Sequence, residues 1–181
     1  CDALGGLNRF HAILGASEHC IAVHPSDMAV AMAALGAVVI TRKHDGTEGR
    51  IPVTRLHRLP GDRPDLDHVL DQGELIVAVE LPAAPPTRQS YRKVRDRSSY
   101  AFAVVSAAVA LDMKDGRMTN LRIALGGVAH KPWRAGKAEA VLEGKAPEPA
   151  LFREAMKQEM ADAQGYGHND FKQILAPRVV V

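Results

Sequence analysis

The chain has 181 residues, 46% hydrophobic and 24% charged, with 23 basic and 21 acidic side chains giving a formal net charge of +2. That balance excludes collagen-like, mucin-like and disordered chains, and it makes no electrostatic case for nucleic acid or an anionic membrane. Aromatic content of 4% argues against stacking platforms, and the two cysteines cannot build a disulfide framework.

Residues 1–23 hold three glycines and both cysteines, and read as irregular structure with one short strand. Pro25-Ser26-Asp27 starts a helix, because Ser26 or Asp27 can cap orphan amides before Met28 to Leu35. The segment is apolar nearly all round, so the helix should be buried, and Gly36 ends it. At 13 residues, Met28 to Ile40 is too short for the ~20 residues of a membrane span. Residues 37–41 form a strand, Asp45-Gly46 a hairpin turn, and residues 48–53 the partner strand. Residues 57–68 are polar and proline-rich, a loop with one helical turn. Residues 74–81 alternate as a strand, and Pro82 to Pro86 break the chain at a domain boundary.

Beyond the break, residues 90–94, 103–113 and 118–126 read as three antiparallel strands, with Asp115-Gly116 turning the second into the third. Residues 133–142, 149–164 and 171–181 read as helices, the last interrupted by Pro177. The expected class is α+β, with a three-stranded antiparallel sheet covered on one face by helices.

The candidate chemical residues each have two readings. Cys1 suits an N-terminal nucleophile, a lipidated first residue, a metal or cluster ligand, or an ordinary cysteine. His11, His19 and His24 match no standard zinc spacing. Asp27 is either a helix-start residue or an acceptor for a ribose-like hydroxyl. The run RQSYRKVRDR is either a solvated strand or a contact to phosphate or an anionic cofactor. Strand alternation puts Arg92 opposite Tyr91 and Lys93. Gly126-Gly127 is no dinucleotide fingerprint, and there is no P-loop.

The segments CDALGGLNRFHAILGASEHCIAVHPSDMAVAMAALGAVV, GELIVAVELP, YRKVRDRSSYAFAVVSAAVAL, LRIALGGVAHKPWRA and GYGHNDFKQILAPR occur in that order. Together they resemble the flavin-binding subunit of the xanthine dehydrogenase family of molybdenum hydroxylases. The resemblance covers essentially the whole chain. It points to the bacterial periplasmic aldehyde oxidoreductases, whose flavin subunit also holds a 4Fe–4S cluster. Residues 1–82 then correspond to the C-terminal part of the FAD-binding domain, a remnant of its second lobe. Residues 85–181 correspond to the C-terminal domain. The family's Gly-rich pyrophosphate loop has no counterpart here, so the resemblance implies a fragment that is inactive alone and binds FAD weakly or not at all.

By resemblance, Asp27, Ile76, Lys93 and Tyr100 are FAD contacts, with Arg92 a register alternative to Lys93. No residue is implied to be catalytic in the sense of acting on substrate. Cys1 and Cys20 match cysteines of the cluster insertion, and two of four thiolates cannot complete a cluster. The implied partners are a large subunit with a molybdenum cofactor and a small subunit with 2Fe–2S clusters. The implied task is to pass electrons through FAD to an external acceptor. Likeness to the subgroup points to the periplasm, with the cytoplasm as alternative. The other reading is a docking module that binds partner subunits without flavin.

Overall fold

The computed structural model describes residues 1–181. In chain order the elements are α1 (Asp27–Leu35), β1 (Val38–Arg42), β2 (Glu48–Pro52), α2 (Val53–Leu56) and β3 (Leu75–Glu80). Then come β4 (Arg88–Val94), β5 (Val105–Lys114), β6 (Arg117–Gly126), β7 (Trp133–Arg134), α3 (Gly136–Leu142), α4 (Pro149–Glu159) and α5 (Lys172–Val180). Two antiparallel sheets result, ordered β2-β1-β3 and β4-β5-β6-β7.

The three long strands of the second sheet form as the pattern predicts. A fourth, two-residue strand joins them where the sequence suggests the start of a helix. Trp133 and Arg134 pair with Leu125 and Ala124, so the helix begins only at Gly136. Side-chain bonds hold that arrangement. Trp133 Nε1 donates to Glu159 at 2.8 Å, and the Arg134 guanidinium donates to both oxygens of Glu139 at 2.9 and 2.8 Å. Tertiary partners here override a local helical pattern.

The expected helix over 149–164 stops at Glu159 and tightens into a 3₁₀ turn at Met160–Asp162. The last helix is continuous rather than interrupted, with Pro177 inside it. Burial of Lys172, Ala176 and Val179 anchors it on both sides of the proline. No strand forms in residues 1–23. A 3₁₀ turn at Asp2–Leu4 begins the segment; Ala12, Ile13, Leu14 and Ile21 are buried, and Ile13 and Leu14 pack into the core of the second sheet. Ile13 and Leu14 both donate their amides to Val128 O at 2.9 Å. The helical turn expected in 57–68 lies earlier, at α2, and His57 and His68 form an isolated bridge instead.

The second sheet is covered on both faces, not one. Val105, Ala107, Leu121, Ile123 and Leu125 pack with residues of α3, α4 and α5 in the larger core. Ala108 and Ala124 join Val30, Ala33 and Ala34 of α1 in the smaller one. Small side chains line both sides of that contact, which lets helix and sheet approach closely. Gly126 shows how closely: a Cβ there would meet Ser106 Oγ and, at 2.6 Å, Val30 Cγ2. The C-terminal end of α1 is held from the sheet side as well. Arg122 Nη1 donates to Leu35 O at 2.7 Å and Arg134 Nη1 to Ala33 O at 3.2 Å. Guanidinium groups at a helix C-terminus suit its partial negative charge. No helix is long and apolar enough to cross a membrane.

Candidate functional site

Helix α1 begins at the mouth of a cleft. Ser26 accepts the Ala29 amide at 3.1 Å, the N-cap that the sequence suggests. Asp27 is thereby freed for other partners. Its Oδ2 accepts Lys93 Nζ at 2.6 Å, and its Oδ1 accepts the Tyr91 hydroxyl at 2.8 Å. Both donors come from β4, whose period of two puts residues 91 and 93 on one face. The Ser106 hydroxyl of β5 lies 3.1 Å from the Tyr91 oxygen. Burial pushes the Tyr91 phenol well above its ordinary range; Asp27 adds to the shift and the Ser106 bond opposes it.

The cleft has a volume of about 580 Å³ and is walled by Pro25, Ser26, Asp27, Lys93 and the loop residues Tyr100, Ala101 and Phe102. Tyr100 is 96% exposed and Phe102 68% exposed, so both rings stand free at its edge. Tyr100 has a φ of 53°. A bulky side chain in the left-handed region is an outlier of the kind that marks functional loops. The root of this loop is tethered, because Arg9 makes a two-pronged bond to Asp96 at 2.8 and 2.9 Å while its guanidinium sits 4.7 Å from the Phe171 ring centre.

Of the residues singled out in the sequence, the structure brings together Asp27, Lys93 and Tyr100. Arg92 lies on the opposite face of β4, beside Ala107, Val109 and Phe152, and shares no wall with Asp27. Ile76 lies on β3, 49% exposed and outside the cleft. Cys1 is exposed, Cys20 half-buried, and both are free thiols. No group of three or more His, Cys, Asp or Glu side chains is placed to hold a metal ion. Sequence reasoning did not single out Ser106 and Phe102, and it used Tyr91 only as a marker of strand register. The spacing Tyr91-x-Lys93 was the available signal, since it fixes two side chains on one face.

A second polar cluster, outside the cleft, pairs two histidines. The rings of His24 and His57 are 4.1 Å apart, tilted by 48°. Burial, with smaller contributions from His24, Lys131 and His68, pushes His57 down to about 4, and burial also lowers His24.

Residues 89–180 match the CO dehydrogenase flavoprotein C-terminal domain, and residues 9–84 match the FAD binding domain in molybdopterin dehydrogenase. The chain belongs to the FAD-binding subunits of the molybdenum hydroxylase family. It is 47% identical to the aldehyde oxidoreductase FAD-binding subunit PaoB of Escherichia coli K12, over 99% of this chain and 54% of that protein. It is 31% identical to the glyceraldehyde dehydrogenase medium chain of Sulfolobus acidocaldarius, over 66% of this chain and 40% of that one. Among solved structures it is similar to carbon monoxide dehydrogenase from Hydrogenophaga pseudoflava, with a TM-score of 0.74 and 25% identity over 98% of this chain and 57% of that one. The chain thus spans about half the length of the curated relatives it matches.

Proposed function

We propose that the chain contributes one side of the FAD site in a flavin-binding electron-transfer subunit of a molybdenum-containing oxidoreductase acting on an aldehyde or N-heterocycle. The observation that carries this reading is the cleft in which Asp27, Lys93, Tyr100 and Phe102 meet. Its donor set fits part of the cofactor. A carboxylate accepts hydroxyls, and two exposed rings offer faces to a planar heterocycle. When bound, FAD supplies the redox chemistry; the protein binds, orients and tunes it. The partners in this reading are a large molybdenum-cofactor subunit and a small 2Fe–2S subunit. Electrons enter from the iron–sulfur clusters and leave to an external acceptor. Cys1 and Cys20 would supply two thiolates of a 4Fe–4S cluster whose other ligands lie outside these 181 residues. The likeness of its segments to the periplasmic aldehyde oxidoreductase subgroup leads us to propose the periplasm as its compartment, with the cytoplasm as alternative.

A titration with FAD of the full-length subunit, with the 181-residue chain beside it, followed by quenching of flavin fluorescence, tests the reading. We expect saturable binding by the full-length subunit and weak or no binding by the 181-residue chain alone. Asp27→Ala in the full-length subunit should weaken binding by more than the loss of Asp27 costs helix α1 in thermal stability. Absence of saturable binding by the full-length subunit, or an Asp27→Ala affinity there equal to wild type, would overturn it. A second reading, a flavin-free docking module, draws on β3, whose six residues are all exposed. It requires partner-subunit binding with no flavin response in the same titration.

A further inference from the structure

Helices α4 and α5 meet along a surface groove with a volume of about 730 Å³. Its floor is apolar: Met160, Ile174 and Pro177 line it, and Ile174 is 60% exposed. Its rims carry Arg153 and Lys157 from α4 and Arg178 from α5. Residues 153, 157 and 160 recur at helical spacing along α4 and the turn after it, as do 174 and 178 on α5. Each helix thus turns one stripe toward the groove. All three cations are exposed, and none takes part in an ion pair. Lys137 on the neighbouring α3 differs, because Asp162 neutralises it at 2.6 Å.

That combination selects an occupant. An apolar floor is stabilised by apolar side chains laid over it. Unpaired cations favour carboxylates, which a guanidinium binds through two parallel bonds. The cations stand on both helices with the apolar floor between them, an arrangement that suits an extended ligand rather than one small anion. A flat bilayer surface leaves a concave groove unfilled and forfeits contacts with its floor. A third helix fills it, because ridges of side chains on one helix settle between those of its neighbours. The groove lies across the C-terminal sheet from the cleft, since α4 and α5 pack in the larger core and α1 in the smaller. Flavin therefore plays no part in it.

We propose that the groove between α4 and α5 is a docking site for an acidic amphipathic helix of a partner subunit. This rests on the partner-subunit reading above and specifies a surface that it uses. Apolar side chains at i, i+3, i+4 and i+7 of that helix cover Met160, Ile174 and Pro177, and its flanking Asp and Glu side chains meet Arg153, Lys157 and Arg178. Because these pairs lie on the rim, they steer encounter and specificity and weaken as salt rises.

The test uses the full-length subunit and the assembled enzyme. Carbodiimide coupling joins an amine to a carboxylate that it touches. In the assembled enzyme it should link Lys157 to an Asp or Glu of a partner subunit, read by mass spectrometry. Lys157→Glu should weaken subunit association about 10-fold at low ionic strength, and less at high salt. Lys114→Glu, an exposed charge reversal at the β5–β6 hairpin, should not. Ile174→Asp should weaken association at every salt concentration, with the thermal midpoint of the free subunit unchanged. Three results would each overturn the proposal: Lys157 linked only to another copy of this chain, equal association of Lys157→Glu and Lys114→Glu, or a Lys157→Glu defect confined to binding of anionic lipid vesicles. A full-length subunit that purifies free of partner subunits at low salt would overturn the partner reading and the proposal together. Normal assembly with Lys157→Glu at wild-type affinity would remove the proposal alone.

Discussion

Lys172 has none of its surface exposed, yet its ammonium donates to two carbonyl oxygens, His11 O at 2.9 Å and Gly127 O at 2.7 Å, rather than to a carboxylate. Asn169 beside it donates to His11 O and Ala12 O, and Asn8 donates to Tyr166 O. These side chains fasten the irregular N-terminal segment to the segment that leads into α5. Burial, with Arg9 nearby, pushes Lys172 down to about 8 from an ordinary 10.5. Between those values the unfolded chain binds more protons than the folded one, so stability rises with pH across that window. We expect the urea midpoint to climb from pH 8 to 10 in the wild type relative to Lys172→Met. Parallel profiles for the two proteins would show that the ammonium is not the source. Nothing in the local sequence HNDFK marks this lysine as buried. Its burial depends on carbonyls more than 40 residues away.

At the scale of elements, the α1–sheet contact decides the geometry of the cleft. Val30, Ala33 and Ala34 rest on Ala108, Ala124 and Gly126, and the first turn of the same helix carries Asp27. Gly126→Ala would press a methyl group onto Ser106 and Val30. Overpacking of this kind costs about 1–3 kcal/mol. We expect a loss of that size in chemical denaturation, together with weaker FAD binding because Asp27 moves with the helix. A variant of wild-type stability would mean that the helix shifts outward freely. Helix α1 itself was legible, with its start at Ser26 or Asp27 and its stop at Gly36, where φ is 74°; the structure chose Ser26 as the cap. Its docking on the sheet was not. An alanine-rich helix apolar all round announces burial without naming the surface that buries it.

Over the whole molecule, the two matched segments share their packing. Ile13 and Leu14, from before α1, sit in the core of the C-terminal sheet. The proline-rich break at 82–86 therefore divides the chain in sequence while the cores on either side interlock. One surface is left open. Strand β3 is an outer strand of its sheet, and Leu75 (66% exposed), Val77 and Val79 on it face solvent, as does Leu81 just beyond its end. An apolar edge strand with unpaired backbone groups is a template for further pairing. We expect the 181-residue chain to self-associate with rising concentration in sedimentation velocity. Val77→Lys with Val79→Lys should return it to a monomer. A wild type that stays monomeric at high concentration would sink this expectation.

Sequence by itself determined the α+β class, most of the strands, the start and stop of α1 and the family, because these rest on short-range periods and on motifs carried within single segments. The family resemblance, not the pattern, singled out Asp27, Ile76, Lys93, Arg92 and Tyr100. Strand alternation separated Lys93 from Arg92 into opposite faces, and it left undecided which face looked onto Asp27. Only the tertiary structure made that choice, by laying α1 across the face of β4 and β5 that carries Tyr91, Lys93 and Ser106. It likewise decided that Trp133 and Arg134 extend the sheet and that Lys172 lies inside. In each case the deciding partner is distant in the chain, and a periodic pattern holds no information about which distant surface a face will meet.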